Sequence, residues 1–327
     1  MAVYTDLNKE QLTNFISSYD IGNLICFNGI TEGIENSNFY VKTSHDEFIL
    51  TIFGKRVNVE DIPFFINGML HLSAKGFYCP TPIVDIKNNY LQKFLGKPAI
   101  IVNYLKGKSK TKVTSENCFH VGSSMASMHL KSKDFSQRRK NSLSIIGCEE
   151  LLKNCSKSIP IKFLDEIEPE ILNEIQNCLN YCKKFWPNNL PHGFIHGDMF
   201  PDNVFFNKNK ISGIIDFYFS CTDILVYDLA IAVNAWCFDN EENFDEEKFK
   251  SLIEGYNSKR KLDQRELFYL PLLCQAAALR FLLTRLYDWF HTSKKADVVP
   301  KDPREYITRL RHHKKIAASK NYEKMSS

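Results

Sequence analysis

The spacing of apolar residues changes partway along the chain and predicts two regions of different structure. Near the start, Leu7, Leu12, Phe15 and Ile16 stand among polar residues, a spacing that predicts a short amphipathic helix within residues 1–20. From there to about residue 106, short runs rich in β-branched and aromatic residues alternate with Gly, Asn and Pro, which predicts strands. The five runs are IGNLICFNGI, NSNFYVKTS, EFILTIFG, IVDIKNNYLQKFLG and PAIIVNYL.

Helical spacing appears once among these strands and then dominates the rest of the chain. Between the third and fourth runs, DIPFFINGMLHLSAKG has helical spacing and ends in the stop signal Lys75 and Gly76. Beyond residue 106, helices are predicted in SENCFHVGSSMASMHLKS, near 165–185, in EEKFKSLIEGYNSK and in ELFYLPLLCQAAALRFLLTRLYDWF. Two strands, GFIHGDMF and KISGIIDF, are predicted to form a hairpin-like pair around NVFFNKNK. The polar tail from Lys314 is expected to fray.

Strands followed by helices predict an α+β protein with two lobes rather than a doubly wound sheet. We assign residues 1–102 to an N-terminal lobe with an antiparallel sheet and one inserted helix, and residues 103–107 to a hinge. Residues 108–327 then form a larger, mainly helical C-terminal lobe. A chain of 327 residues is long enough for both lobes.

The composition argues against a nucleic-acid-binding or a membrane protein. A hydrophobic content of 44% and 42 basic against 38 acidic residues are typical of a soluble globular protein and offer little of the basic face of a nucleic-acid binder. No apolar run approaches the roughly 18 uninterrupted residues of a spanning helix, and MAVYTDLNKE lacks the pattern of a signal peptide. We expect a cytoplasmic protein that binds neither nucleic acid nor membrane, and the sequence does not indicate its oligomeric state.

The ten cysteines are scattered and include no CxxC pair. By helical spacing, Cys178 and Cys182 share a face and could hold a metal only if two further ligands converged. We favour free, buried thiols.

The residues with the clearest chemistry lie in HGDMFPDN, which contains Asp198 and Asn203, and in IIDF, which ends at Asp216 and Phe217. Phosphoryl transfer requires an oriented acceptor hydroxyl and metal ions that neutralise phosphate charge. Asp198 would accept or orient the acceptor's proton, Asn203 would offer an amide oxygen to Mg²⁺, and Asp216 would bridge the metal to the phosphates. Single Asp and Asn residues often populate turns, but this order and spacing are typical of kinase catalytic and metal loops.

These motifs resemble those of the aminoglycoside phosphotransferase and choline kinase superfamily, which has the protein-kinase-like fold. Gly197 stands where protein kinases carry Arg, and Asp216 with Phe217 matches the metal-binding position. The string TDILVYDLAIAV is similar to the family's next helix, so the resemblance implies that Asp228 braces the catalytic loop. The chain resembles the bacterial homoserine kinase branch over nearly its whole length, in GITEGIENSNFYV, EFILTIF, DIPFFINGMLHL, GKPAIIVNYLKG, IIDFYFSC, YDLAIAVNAWC and LRFLLTRLYD.

The resemblance implies a kinase that moves the γ-phosphate of ATP, with Mg²⁺, onto a hydroxyl, with homoserine as the favoured substrate and threonine synthesis as the context. Kinases of choline, aminosugars or methylthioribose share HGDMFPDN and remain alternatives on the same fold. A non-catalytic nucleotide-binding scaffold is a further alternative. Such proteins generally lose their metal ligands, whereas Asp198, Asn203 and Asp216 are all present here.

Four residues are candidates for nucleotide binding. Gly29 and Gly33 lie between candidate strands, where backbone amides could cover the phosphates, although ordinary hairpin glycines share this pattern. Asn103 and Leu105 lie at the hinge and are expected to meet adenine through backbone groups.

The usual phosphate-binding lysine of the third strand is missing. The string FILT places Thr51 at this position, and the position of the lysine's glutamate partner falls near Phe65. Losing both charges avoids leaving one of them uncompensated. Lys55 or Arg56 could approach the phosphates instead, or could be solvated surface charges.

The substrate's carboxylate suggests arginines in the apolar helix AALRFLLTRLYD. Arg280 requires a partner there, either the substrate carboxylate or an internal acid such as Asp288 or Asp228. Arg285 is a second candidate, which could instead extend its charged end to solvent.

Other candidates have simpler structural explanations. Asn234, Trp236 and Asp239 follow the YDLAIAV helix and could line the pocket, although Trp236 is also a natural core residue. We expect His196 to support the loop from behind rather than act as a base, and His129 to be a buried histidine with satisfied hydrogen bonds.

Overall fold

A computed structural model describes residues 7–30, 36–54, 57–159, 164, 167–239, 241–292 and 300–319. The chain divides into two compact units. The first unit comprises Met1–Gly107, Ser212–Tyr218 and Thr292–Val299, and the second comprises Lys108–Ile211, Phe219–His291 and Pro300–Ser327. The predicted α+β class is confirmed, because an antiparallel sheet forms in the N-terminal part and most of the rest is helical. The lobe and hinge boundaries stay predictions.

The first unit is built on a five-stranded antiparallel sheet of order β1-β2-β3-β5-β4. The helix α1 (Lys9–Ile16) begins at a capping box between Asn8 and Gln11, and its buried Leu12 and Ile16 join the core of the sheet. The predicted N-terminal helix and five strands are confirmed, although the fourth run forms only a short strand. The strands are β1 (Leu24–Ile30), β2 (Ser37–Thr43), β3 (Glu47–Ile52), β4 (Gln92–Phe94) and β5 (Lys97–Asn103).

The helix α2 (Ile62–Ala74) is the predicted insertion between β3 and β4. It has a proline in its first turn and ends at Ala74 with Lys75 as its C-cap, and Gly76 follows with φ +69°, a conformation that glycine adopts without strain. The predicted helix and its stop signal are therefore confirmed. Gly33, Lys55 and Arg56 lie outside the described residues.

The second unit is mainly helical, with the long helix α8 at its centre. This helix contacts α4, α5, α6 and α9. Among the described helices, only α8 is long and apolar enough to match a membrane span. A count of uninterrupted apolar residues misses it, because charged residues interrupt the apolar run. Of its most apolar 18 residues, 67% are buried within the protein. The helices are α3 (Ser115–Lys131), α4 (Ile145–Ser158), α5 (Ile171–Phe185), α6 (Leu225–Trp236), α7 (Glu246–Asn257), α8 (Gln264–His291) and α9 (Arg304–Ser319).

The predicted fraying from Lys314 is wrong for the described part of the tail. Helix α9 continues through Lys314 to Ser319, because His313 and Ile316 are buried against the rest of the unit. Ile316 contributes an apolar contact, and His313 bonds the Asn234 side chain at 3.1 Å.

The predicted pairing of GFIHGDMF with KISGIIDF is also wrong. The strand β6 (His192–Ile195) pairs antiparallel with β9 (Cys221–Ile224), and NVFFNKNK itself contains β7 (Val204–Asn207) and the turn into β8 (Lys210–Ile214). The alternation of apolar residues identifies a strand, but it does not identify the strand's partner.

The cysteines are all free thiols, and all of them are buried except Cys26, which is exposed. The Sγ atoms of Cys178 and Cys182 lie 4.0 Å apart. Within the described ranges, no group of three or more His, Cys, Asp or Glu side chains converges as a metal site.

Candidate active site

The loop after β6 holds Asp198 in a constrained backbone. His196 is fully buried, and its Nδ1 accepts a hydrogen bond from the backbone N–H of Asp198 at 3.2 Å. Gly197 has φ +77°, and a Cβ atom there would lie 2.9 Å from the carbonyl oxygen of Phe219, so only glycine fits. The predicted role of His196, support from behind the loop, is confirmed.

Asp198 and Asn203 are brought together as predicted. The Nδ2 of Asn203 donates to the Asp198 carboxylate Oδ2 at 3.1 Å and to the Asp198 carbonyl oxygen at 2.8 Å. Asn203 is buried in the short turn Pro201–Asn203, so its amide orientation is fixed. Because the amide nitrogen faces Asp198, the other branch of the amide presents Oδ1, the type of hard oxygen that Mg²⁺ prefers.

Asp228 of α6 braces this loop, as the resemblance implied. Its Oδ1 accepts from the N–H of Gly197 at 2.8 Å, and its Oδ2 accepts from the N–H of His196 at 2.9 Å and lies 3.1 Å from His129 Nε2. Burial by itself raises the pKa of Asp228, but the hydrogen bond and charge of His129 and the bonds to the loop outweigh it, so this pKa lies below its ordinary value. The carboxylate is therefore ionised although it is fully buried.

His129 extends this network away from the loop. Its Nδ1 lies 2.8 Å from the Tyr256 hydroxyl, to which Arg260 Nη1 donates at 3.2 Å. Arg260 Nη2 also pairs with the buried Glu266 at 2.9 Å. The expectation of a satisfied core histidine is confirmed, but the sequence did not reveal its carboxylate partner, Asp228.

Two of the candidate substrate residues bond the backbone of the loop that contains Asp198. The Nη1 of Arg280 donates to the Gly197 carbonyl oxygen at 2.7 Å, and Trp236 Nε1 donates to the Met199 carbonyl oxygen at 2.7 Å. Trp236 is fully buried and Arg280 is 2% exposed. Neither contact could be found from local spacing, because each joins residues far apart in the chain.

The other two candidates are satisfied within the protein. Arg285 pairs with Glu305 at 2.5 Å and donates to a backbone carbonyl oxygen. Asn234 is fully buried, donates to two carbonyl oxygens at 3.0 Å, and bonds His313 through Oδ1 at 3.1 Å. The assignment of Asn234, Trp236, Arg280 and Arg285 to substrate binding stays a prediction, without support from these contacts.

The segment around Asp216 belongs to the first unit. Asp216 has φ +64°, a left-handed conformation that Asp tolerates better than most side chains, and the next residue, Phe217, is fully buried. Strained backbone of this kind concentrates at functional sites.

Tyr218 joins this segment to the sheet, at the position where a lysine was expected. The Tyr218 hydroxyl donates to Thr51 Oγ1 at 3.2 Å, and Thr51 Oγ1 donates to Asn38 Oδ1 at 2.8 Å. Burial raises the pKa of Tyr218 and Asp216 adds to this, so the hydroxyl stays protonated and able to donate. The Tyr218 ring also packs edge-on against Phe53 and Phe65, at centroid distances of 5.0 and 6.0 Å. We call Asn38, Thr51 and Tyr218 the hydroxyl chain.

The candidate nucleotide residues of the first unit lie in or beside the sheet. Gly29 lies within β1, opposite Phe39, rather than in a loop between strands. Asn103 ends β5, its Oδ1 accepts from the N–H of Thr81 at 2.6 Å, and its own N–H donates to the Thr81 carbonyl oxygen at 3.1 Å. Leu105 packs closely on Gly213 of β8, where an added Cβ would lie 2.7 Å from Leu105 Cδ1. Their nucleotide contacts stay predictions.

Comparisons with known proteins identify the family of the chain. The sequence profile of the phosphotransferase enzyme family matches residues 27–262, so the chain belongs to this family. Among its relatives is a homoserine kinase of Agrobacterium fabrum, 45% identical over 98% of this chain and 98% of that protein. A homoserine kinase of Xanthobacter autotrophicus is 44% identical over 98% of this chain and 99% of its own length. The chain is accordingly an enzyme that transfers phosphate to a hydroxyl.

Solved structures of low identity share the fold. An amicoumacin kinase, in complex with AMP-PNP, Ca²⁺ and its ligand, superposes with a TM-score of 0.72 at 14% identity, covering 96% of this chain and 94% of that one. A microcompartment-associated aminopropanol kinase has a TM-score of 0.67 at 15% identity, covering 98% and 99%. These likenesses confirm the predicted protein-kinase-like phosphotransferase fold.

Proposed function

We propose that this protein transfers the γ-phosphate of ATP, with Mg²⁺, to the side-chain hydroxyl of L-homoserine and forms O-phospho-L-homoserine. The observation that carries the reaction type is the Asp198 carboxylate, held by Asn203 at 3.1 Å on a loop braced by a buried carboxylate. The choice of acceptor is supported by homoserine kinases that are 42–45% identical over 98% of the chain. The product would serve threonine synthesis in the cytoplasm.

In this proposal, Asp198 orients the hydroxyl of the substrate. Its carboxylate accepts a hydrogen bond from the substrate hydroxyl and takes up the proton as the oxygen attacks the γ-phosphorus. The amide of Asn203 holds Oδ2 of this carboxylate, and His196 holds the backbone N–H of Asp198. Both bonds restrict Asp198 to one orientation before substrate binds, which is how positioning contributes to phosphoryl transfer.

Asn203 and Asp216 are the proposed ligands of Mg²⁺. An amide oxygen and a carboxylate are hard donors that suit this ion, and Asn203 has its nitrogen engaged with Asp198, which leaves its oxygen as the ligand. When bound, the ion neutralises charge on the phosphates. The left-handed backbone of Asp216 is consistent with a residue held in place for function.

The proposed nucleotide contacts are made by backbone groups. Gly29 would let the chain approach the phosphates closely, and Asn103 and Leu105 would meet adenine. Thr51 supplies no positive charge at the usual lysine position, so in this proposal the phosphates depend on the metal and on backbone groups for charge compensation.

A substrate panel tests the acceptor. We expect turnover in a coupled ATPase assay to be far higher with L-homoserine than with choline, kanamycin or methylthioribose, and to disappear when EDTA removes Mg²⁺. The homoserine product, separated and identified by mass, would distinguish phosphoryl transfer from simple ATP hydrolysis. A preference for choline or an aminosugar would overturn the acceptor, and full activity in EDTA would overturn the metal requirement.

A further inference from the structure

Arg280 differs from Arg309, the other arginine that is buried in the described part of the second unit, and from the part-buried Arg260 and Arg285. Arg260, Arg285 and Arg309 each pair with a glutamate at 2.9 Å or less. The described hydrogen bond of Arg280 goes instead to a backbone carbonyl, that of Gly197, at 2.7 Å, and its Nε lacks a partner in the described part of the chain. Burying a guanidinium to 2% exposure without a paired acid is unfavourable, so this placement requires an explanation.

Arg280 and Asp228 both bond the backbone of Gly197. Its carbonyl oxygen accepts from Arg280 at 2.7 Å, and its N–H donates to Asp228 Oδ1 at 2.8 Å. The buried Arg280 cation and the buried Asp228 anion therefore hold the carbonyl and the N–H of Gly197. The backbone of Gly197 is left-handed (φ +77°), a conformation that glycine adopts most easily.

The bond to Arg280 also orients the residue that follows. The carbonyl of Gly197 belongs to the peptide group that joins it to Asp198, and the N–H of the same peptide donates to His196 Nδ1 at 3.2 Å. A peptide group is planar, and the Asp198 Cα lies in its plane. Fixing the oxygen and the N–H of this peptide therefore fixes the direction from which the Asp198 side chain starts. Arg280 and His196 thus act on opposite sides of one peptide.

Aromatic rings hold Arg280 itself in place. Its guanidinium lies 4.6 Å from the centroid of Phe281 and 5.7 Å from that of Phe219. These are cation–π distances, and they restrict the side chain to the orientation that meets Gly197. Phe219 contributes twice, because its carbonyl oxygen is also the atom that excludes a side chain at position 197.

We propose that Arg280 is a positioning residue, which holds Asp198 in its reactive orientation through the Gly197 carbonyl and does not bind the substrate carboxylate. This inference rests on the proposed function for the role of Asp198. It replaces both partners expected for Arg280, a substrate acid and an internal acid, with a backbone carbonyl.

The test compares Arg280→Lys with the matched control Arg309→Lys, which also removes a buried guanidinium. For Arg280→Lys we expect kcat to fall on the order of tenfold or more, while KM for homoserine and for ATP stay within about twofold, because a lysine lacks the planar fork. For Arg309→Lys we expect the melting temperature to fall and kcat to be retained. If Arg280→Lys raises KM for homoserine and keeps kcat, the residue binds substrate and the proposal is wrong.

A second experiment tests whether Arg280 acts through Asp198, by combining variants of the two residues. If Arg280 acts through Asp198, adding Arg280→Lys to Asp198→Asn should slow turnover no further than Asp198→Asn alone. A further tenfold loss would contradict the proposal. Near-normal turnover of Asp198→Asn would instead refute the proposed catalytic residue, so the two failures are distinguishable.

If Arg280→Lys does not fold, Phe281→Leu tests the same geometry without removing the charge. It deletes the nearer ring beneath the guanidinium, and we expect kcat to fall a few-fold with both KM values unchanged. An unchanged kcat in a folded Phe281→Leu protein would overturn the proposal.

Discussion

The two segments that carry the proposed catalytic aspartates are anchored by opposite kinds of chemistry. In the second unit, the loop before Asp198 is held by an ionised carboxylate, Asp228, and a buried guanidinium, Arg280. In the first unit, the segment that contains Asp216 is tied to the sheet by the neutral hydroxyl chain, through the bond from Tyr218 to Thr51. Both segments follow short strands, and both contain a residue with left-handed backbone, Gly197 or Asp216. Each segment must therefore hold an unfavourable backbone conformation, but the side chains that hold it differ.

The difference has energetic consequences. Removing one partner of a buried charged network leaves the other charge uncompensated and costs about 3–5 kcal/mol, whereas one neutral hydrogen bond contributes about 1 kcal/mol. The neutral anchor also lies where the usual strand lysine and its glutamate were expected. Tyr218 bonds Thr51 at the lysine position and packs against Phe65, near the position expected for the glutamate.

The largest effect is expected at Asp216. Asp216→Ala should abolish Mg²⁺-dependent turnover, because it removes a proposed metal ligand. Asp216→Asn is the companion variant, since Asn tolerates the left-handed backbone and keeps stability, and it should also lose most activity. Turnover measured against Mg²⁺ concentration, with the melting temperature of each variant, checks this. Near-normal turnover in Asp216→Asn and Asp216→Ala would exclude the metal assignment.

Breaking the charged anchor should cost stability first. We expect Asp228→Asn to lower the free energy of unfolding by about 3–5 kcal/mol, because it leaves the loop N–H groups and His129 without their carboxylate. Urea titration measures this loss. A loss below about 1 kcal/mol would mean that the charged and neutral anchors do not differ in the way described here.

The pH dependence sharpens the same comparison. Asp228 has a pKa below its ordinary value in the folded protein, so its contribution is fully present above the ordinary aspartate range and is lost as the pH falls through the folded pKa. We therefore expect the stability difference between the wild type and Asp228→Asn to stay constant from about pH 8 to 5 and to shrink only below about pH 4. A difference that already shrinks near pH 6 would show that another group titrates in the network.

The smallest effect is expected in the hydroxyl chain. Tyr218→Phe should lower the free energy of unfolding by about 1 kcal/mol and raise the apparent Mg²⁺ constant a few-fold. Thr51→Val removes the same bond and also the bond to Asn38, so the double variant should lose little more than Thr51→Val alone.

The control for the hydroxyl chain is Tyr40→Phe. It deletes another tyrosine hydroxyl of the same sheet, which donates to Glu47 Oε1 at 2.6 Å, and it should leave the Mg²⁺ constant unchanged. An equal rise of the Mg²⁺ constant in Tyr40→Phe and Tyr218→Phe would contradict a specific link between Tyr218 and Asp216.

Local sequence predicted most of the elements and the proposed reactive residues. The period of apolar residues predicted α1, α2, the strands of the sheet and most helices of the second unit, because each period reflects one face buried along a single element. The spacing of Asp198, Asn203 and Asp216 predicted the chemistry, because these residues lie close together in the chain and their types suit phosphate and metal. The resemblance to known kinases added the brace at Asp228.

Tertiary structure alone decided which distant residue satisfies each of these groups. The partner of β6 is β9 rather than β8, Arg280 meets a carbonyl 83 residues away, and Tyr218 meets a hydroxyl 167 residues away. The sequence shows that a buried arginine or tyrosine requires a hydrogen-bond acceptor, but many acceptors in the chain have suitable chemistry. Only the packing of the elements selects among them, because a hydrogen bond depends on distances of a few tenths of an ångström that no local pattern encodes.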